Sequence, residues 1–281
     1  MTQPRIRILA TGGTIAGSAG SALGRGYRVG QIGIDEMVSA ARQLGLDAEL
    51  SGEEIAAVGS QDIAWTVWQV LHRAITGAFA DPSVDGVIVT HGTDTAEETA
   101  WLLDLTLPAG KPVVLVGAMR PADAVGSDGM RNFANAVRVA GDAHAHGRGV
   151  MLVMGDAVFA ASDVRKAATS NIDAFKGFPR GPLGLVSPAS LDWFAPAAKA
   201  GEPARFAWPH ALPRVEMVYA HADMDALPVT SAIATGAKGL VLAGLGQGNA
   251  CAPVLDALQN AAREGVPVVR ASRGDEGYVD R

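Results

Sequence analysis

Small hydroxyl side chains and glycines crowd four short segments of this chain. They are Thr11 to Gly17, with Gly12, Gly13 and Thr14; Gly59 to Asp62, with Ser60 and Gln61; Thr90 to Thr95, with His91, Gly92, Thr93 and Asp94; and Gly117 to Met119, with Ala118. Thr and Ser offer a hydroxyl that can attack a carbonyl, once a neighbour accepts its proton, or that can hydrogen-bond a ligand. Glycine lets the backbone itself come close to what is bound. Each segment also has a plainer reading, because Thr, Ser and Asp commonly cap helices, and Asp94 could simply cap the helix that follows it. The plainer reading weakens when four such loops fall at one edge of one sheet.

That edge is predicted by the pattern around the loops. Apolar runs at Ile6–Ala10, Ile55–Val58, Val84–Val89, Val113–Val116 and Val150–Met154 read as strands. Between them Ile34–Leu44, Ile63–Phe79, Thr95–Leu105 and Met130–His144 read as amphipathic helices. Strands that are apolar throughout belong to a parallel sheet covered on both faces. Ligands of such open α/β sheets bind at the carboxyl ends of the strands, where these loops lie. Residues 1–187 are therefore expected to form a large parallel-sheet, flavodoxin-like α/β domain. The proline-rich stretch 188–213 reads as a surface linker. From 214 the alternation resumes with strands at Val215–Ala220, Gly239–Ala243 and Val266–Arg270 and helices at Val229–Thr235 and Ala252–Arg263, a smaller α/β domain over 214–281. Its last strand runs into the polar Ser272–Arg281 with no helix to cover the sheet, which reads as a domain without its natural tail.

Composition narrows the chemistry. The 281 residues are 48% hydrophobic and 19% charged with a net charge of −6, and no basic cluster offers a surface for nucleic acid. No apolar run is long enough for a membrane span. Arg5 and Arg7 interrupt the only candidate leader, which favours a cytoplasmic protein, or a periplasmic one if a signal peptide has been removed. One cysteine, Cys251, excludes a disulfide framework and a cysteine-based metal site, and the six histidines lack ligand spacing. No P-loop, HExxH or G-x-S-x-G motif is present, and Gly244, Gly246 and Gly248 do not complete a dinucleotide fingerprint. No metal and no organic cofactor is expected.

Taken together, ATGGTIAG at 10–17 and THGTDTAEETA at 90–100 resemble the two motifs of the bacterial asparaginase/glutaminase family. GSQD at 59–62, VGAMRP at 116–121 and DVRKAATSNIDAF at 163–175 fit the same family in the same order. Tyr27, Val29 and Gly30 resemble the lid of its type II subgroup, and the five glycines of Gly17–Gly30 predict a mobile segment there.

The resemblance implies an L-asparaginase working by double displacement. A threonine attacks the side-chain amide of L-asparagine, ammonia leaves, and water hydrolyses the β-aspartyl ester. It implies catalytic roles for Thr14, Thr93, Lys166, Tyr27 and Asp94, with Thr14 the favoured nucleophile, although the two threonines could exchange parts. Ser60, Gln61, Thr93, Asp94 and Ala118 are implied to hold the substrate. Asn249 would come from a neighbouring subunit, in a homotetramer built from dimers with shared sites. The family's further acidic residue from the neighbour has no match in this chain, since Glu276 does not fit the motif. Lys166 has an equally good plain reading as a surface cation paired with Asp163. A non-catalytic amino-acid-binding or sensor protein on the same fold is the competing function, and retention of both threonines with Lys166 and Tyr27 argues against it.

Overall fold

The computed structural model describes residues 3–20, 32–43 and 45–280. Two compact units emerge, Met1–Ala207 and Trp208–Arg281.

The first unit is built on an eight-stranded sheet. Its parallel part comprises β1 (Arg5–Gly12), β2 (Glu49–Val58), β3 (Gly86–Thr90), β4 (Val113–Val116) and β5 (Val150–Met154), ordered β2-β1-β3-β4-β5. This is the flavodoxin-like order, in which the topological switch lies between β1 and β3. Four helices cover it: α1 (Ile34–Gln43), α2 (Trp65–Ala80), α3 (Ala96–Thr106) and α4 (Gly129–Ala140). The strands read as continuous apolar runs because alternate residues feed two cores. Ile6, Ile8, Ile88, Val114 and Met151 pack with Phe133 of α4 and Met37 of α1 on one face. Leu9, Val87, Val89, Leu115 and Leu152 pack with Leu71 and Ile75 of α2 and Leu103 of α3 on the other. Fully burying one such side chain contributes roughly 1.5–3 kcal/mol, so the strand ends are held by a core that tolerates little displacement.

The two-domain α/β reading holds, with three refinements. The sheet is mixed rather than parallel throughout, because β6 (Ala157–Ala160), β9 (Gly184–Val186) and β10 (Leu191–Trp193) extend it antiparallel beyond β5. A separate hairpin of β7 (Val164–Lys166) and β8 (Phe175–Gly177) carries Lys166. Within the proline-rich stretch, the residues up to Ala207 belong to the first unit. β10 lies inside it, the Arg148 guanidinium sits 3.8 Å from the centre of the Trp193 ring, and the Phe206 N–H donates to the Leu105 carbonyl at 2.9 Å. The prolines of the stretch all lie outside β10, where no ladder needs their N–H.

The second unit carries a three-stranded parallel sheet of β11 (Val215–Tyr219), β12 (Gly239–Gly244) and β13 (Val268–Ser272), with α5 (Leu227–Ala234) and α6 (Ala252–Arg263). Val218, Leu240 and Leu242 face Val254 and Leu258 of α6 in its core. The alternate residues Met217, Tyr219 and Val269 are exposed on the opposite face.

One buried polar chain ties β3 to both helices above it. His91, directly after β3, is 1% exposed. Its Nδ1 lies 2.7 Å from the Gly92 carbonyl oxygen and its Nε2 lies 2.8 Å from Thr99 Oγ1 on α3. Thr99 Oγ1 accepts from Trp68 Nε1–H on α2 at 2.8 Å. Burial holds the His91 imidazole down at about 4, against 6.5 for a free histidine, so it is neutral in the folded protein. Burial also lowers His72.

Between these two values the unfolded chain binds the His91 proton and the folded chain does not. Stability is therefore full above pH 6.5 and falls as the pH drops towards 4, by on the order of 3 kcal/mol from this group. Urea unfolding at pH 7 and at pH 4.5 should show that loss in the wild type and a clearly smaller one in His91→Asn, where His72 still titrates. Equal losses in the two proteins would remove His91 as the source.

Candidate active site

β1 ends in Gly12 and Gly13, both with positive φ (103° and 79°), and the chain then makes one 3-10 turn over Thr14–Ala16. A Cβ on Gly13 would stand 2.4 Å from the Gly92 nitrogen, so only glycine lets this loop lie backbone to backbone against the loop after β3. The Gly13 N–H donates to the Val58 carbonyl at the end of β2, and the Gly17 N–H to the Thr14 carbonyl at 2.9 Å. Thr14 is consequently buried, 6% exposed, on a turn fixed to both neighbouring strand ends.

Across from it, Thr93 is also buried, and the Lys166 ammonium donates to its Oγ1 at 2.9 Å and to Asp94 Oδ1 at 2.5 Å. The lysine side chain is 16% exposed and the Asp94 side chain 63% exposed, so the pair sits at the mouth of the crevice with its cation inside. This separates the two readings of Lys166: its partners are Thr93 and Asp94, while Asp163 pairs with Arg180. Asp94 does not cap α3; the N-cap position is Thr95, which makes no side-chain capping bond.

Ser60 and Gln61 lie on a 3-10 turn after β2. Ser60 Oγ accepts the Asp94 N–H at 3.1 Å, and Thr95 Oγ1 donates to the Ser60 carbonyl at 2.8 Å, which joins this turn to the Thr93 loop. The Gln61 amide donates to the adjacent Asp62 carboxylate at 3.0 Å. Ala118 follows β4 and is fully buried. Thr14, Thr93, Asp94, Lys166, Ser60, Gln61 and Ala118 thus all belong to the strand ends and the β7–β8 hairpin of the first unit. Asn249 is in the second unit, where Leu245 and Asn249 exchange backbone hydrogen bonds of 2.7 and 2.8 Å around a tight turn. Tyr27, Val29 and Gly30 lie outside the described residues.

Three carboxylates that sequence reasoning passed over hold this arrangement. Glu97, in the first turn of α3, accepts the backbone N–H of Lys166, so one helical turn holds the lysine at its main chain while the preceding loop takes its head. Asp128, beside α4, accepts the Met119 and Arg120 N–H groups and the Asn132 amide, fixing the turn that bears Ala118. Asp123 accepts from Ser18 Oγ and from the Ala19 and Gly20 N–H groups, which anchors the segment just after the Thr14 turn. Those bonds, the Ala19 N–H foremost, hold the Asp123 carboxyl below its ordinary value. A carboxylate opposite a glycine-containing loop was the available signal, but it is a common one.

Family comparison agrees with the geometry over both units. The family model described as asparaginase, N-terminal, matches residues 5–199, and the glutaminase/asparaginase C-terminal domain matches residues 214–281. The chain is 42% identical to a probable periplasmic L-asparaginase of Haemophilus influenzae over 99% of this chain and 80% of that one. It is 37% identical to a glutaminase-asparaginase of Pseudomonas fluorescens biotype A, over 96% of this chain and 75% of the relative. The crystal structure of a probable cytoplasmic L-asparaginase from Campylobacter jejuni superposes with a TM-score of 0.91 at 36% identity, covering 99% of this chain and 86% of that one. The names of these relatives divide between periplasm and cytoplasm, and among the described residues no helix is long and apolar enough to cross a membrane. With both family domains matched in order and the two threonine loops abutting at the sheet's switch point, this chain belongs to the asparaginase family.

Proposed function

We propose that the chain hydrolyses the side-chain amide of L-asparagine to aspartate and ammonia, with Thr14 as nucleophile and Thr93, Lys166 and Asp94 as the proton-handling group. The observation that carries this is the Lys166 ammonium set between Thr93 Oγ1 at 2.9 Å and Asp94 at 2.5 Å, beside a second buried threonine on the abutting loop. In this reading Thr14 Oγ attacks the substrate's side-chain carbonyl carbon. Its hydroxyl proton passes to the amide nitrogen, and the C–N bond breaks to release ammonia and leave an aspartyl ester on Thr14. Tyr27 takes the catalytic part beside Thr14 that the family resemblance implies. Backbone N–H groups around Thr93 stabilise the oxyanion, where the largest charge develops. The Ala118 carbonyl accepts a hydrogen bond from the leaving nitrogen. Lys166 hands a proton to Asp94 and takes one from Thr93 Oγ1, which takes a proton from the water that attacks the aspartyl ester. The proton returns to Thr14 Oγ as the ester C–O bond breaks. Ser60 receives the substrate α-carboxylate, and Gln61 and Asp94 receive the α-ammonium, so that binding away from the reacting centre aligns it. Glutamine differs by one methylene, which a pocket distinguishes by only about 1–3 kcal/mol, so a weaker glutaminase activity goes with the same site.

The same proposal takes the protein as a homotetramer of dimers, with Asn249 closing a neighbouring subunit's site. Its support is the family resemblance of the GQGN turn and the placement of Asn249 outside the unit that holds the threonines.

Ammonia release from asparagine should fall at least 10³-fold in Thr14→Ala and 10²-fold or more in Thr93→Val and Lys166→Met, with unchanged circular dichroism; these are order-of-magnitude expectations for a lost nucleophile and a lost proton relay. A folded Thr14→Ala protein at near-wild-type rate would end its role as nucleophile.

Sharing of sites is tested by co-expressing Thr14→Ala and Asn249→Ala chains. A mixed dimer with shared sites has one site bearing both defects and one bearing neither, so activity returns. Mixed dimers that form and stay inactive would show that each site belongs to a single chain.

A further inference from the structure

The mechanism above makes no use of His91, yet this histidine is the most enclosed titratable group near the site. Its hydrogen bonds can be directed without ambiguity. The Gly92 carbonyl can only accept, so the proton on the neutral ring sits on Nδ1. Nε2 is then bare and accepts from the Thr99 hydroxyl, whose oxygen in turn accepts from Trp68 Nε1–H. The three links, at 2.8, 2.8 and 2.7 Å, run one way, from the indole on α2 through α3 to the Gly92 carbonyl.

That carbonyl shares a peptide plane with the Thr93 N–H. In a trans peptide the C=O and N–H point in opposite directions, so whatever fixes one aims the other. Among the described residues the Thr93 N–H meets no acceptor, which leaves it available to a ligand. The residue bearing the carbonyl is a glycine, whose backbone torsions are the least restrained of any residue. Donation to the carbonyl oxygen also polarises the peptide and strengthens its N–H as a donor, more so in a buried chain of bonds. The His91 backbone N–H donates to the Val116 carbonyl at 2.8 Å, so the main chain that bears the ring is fixed to the end of β4.

We infer that His91 is a positioning residue for the hydrolysis: its Nδ1–H clamps the Gly92 carbonyl and thereby holds the Thr93 N–H on the substrate's carbonyl oxygen as that oxygen becomes an oxyanion. This rests on the proposed threonine mechanism. The device acts on transition-state charge more than on ground-state binding, so it is read in kcat. Losing an oxyanion donor outright costs about 10²–10³ in kcat, and loosening one through its peptide is expected to cost roughly tenfold or more.

Two variants separate donation from packing. His91→Leu fills comparable space without a donor, whereas His91→Asn can present its amide N–H near the position of Nδ1. For asparagine, His91→Leu should lower kcat by about tenfold or more while KM and the Kd of aspartate move less than about threefold, and His91→Asn should recover most of the loss. A His91→Leu enzyme within twofold of wild-type kcat, or a His91→Asn enzyme as slow as His91→Leu, would overturn the inference. Should His91→Leu not fold, nitrogen-15 NMR of histidine-labelled wild type decides the first step: a proton on Nδ1 of His91 supports the clamp, and a proton on Nε2 alone refutes it. The assays also distinguish the two levels of the account. A wild type that releases no ammonia from asparagine refutes the proposed function, whereas full activity in His91→Leu beside an inactive Thr14→Ala refutes only the clamp.

Discussion

The site depends on how closely the loop after β1 can lie against the loop after β3. Those strands are neighbours at the point where the strand order reverses, so the chain leaves them towards opposite faces and a crevice opens between. Closing it to reacting distances requires two backbones in contact. Gly13 meets Gly92 with no room for a Cβ, and Gly12 meets the end of β2 in the same way. Strain at such positions is stable only where the surroundings over-determine it. Here two apolar cores fix the strands, and the loops are tied sideways through Ser60, Asp94 and Val58.

Around that contact the charged groups are arranged asymmetrically. On the Thr93 side a lysine is held by its main chain on Glu97 and by its head on Thr93 and Asp94, all within about one turn of chain. Just after the Thr14 turn, the Asp123 carboxylate is occupied by the hydroxyl and N–H groups of Ser18–Gly20. Thr93 therefore touches a cation and, through it, a carboxylate that can relay its proton, and Thr14 lies on the abutting glycine loop. The relay beside Thr93 suits activation of a water, and giving Thr14 the attack follows the family resemblance.

Much of this is legible in the sequence. Strands β1, β3, β4 and β5 were readable because residues buried on both faces leave continuous apolar runs, and the hydroxyl loops were readable because they follow those runs directly. β2 was seen only at its end: as an edge strand it exposes Glu49, Glu53 and Glu54, so most of its ten residues carry no apolar pattern. The antiparallel strands and the β7–β8 hairpin are three or four residues long, too short for any periodicity. That is why Lys166 looked as close to Asp163 as to Asp94: three residues of sequence separation weigh more, on paper, than a hairpin that carries the side chain to a partner 72 residues away. The sequence names His91 in its loop but gives it no role, for a related reason. Its function depends on Thr99 and Trp68, and no spacing rule joins a loop histidine to an indole on another helix.

The most direct measurement is capture of the covalent intermediate. Wild-type enzyme and Lys166→Met, in which ester hydrolysis should be slowed more than its formation, are quenched in acid during turnover of asparagine and digested. The account predicts an added aspartyl group on the peptide containing Thr14, more abundant in Lys166→Met. An adduct on the Thr93 peptide would exchange the two threonines. Continued ammonia release with no adduct on either would contradict a threonine ester altogether.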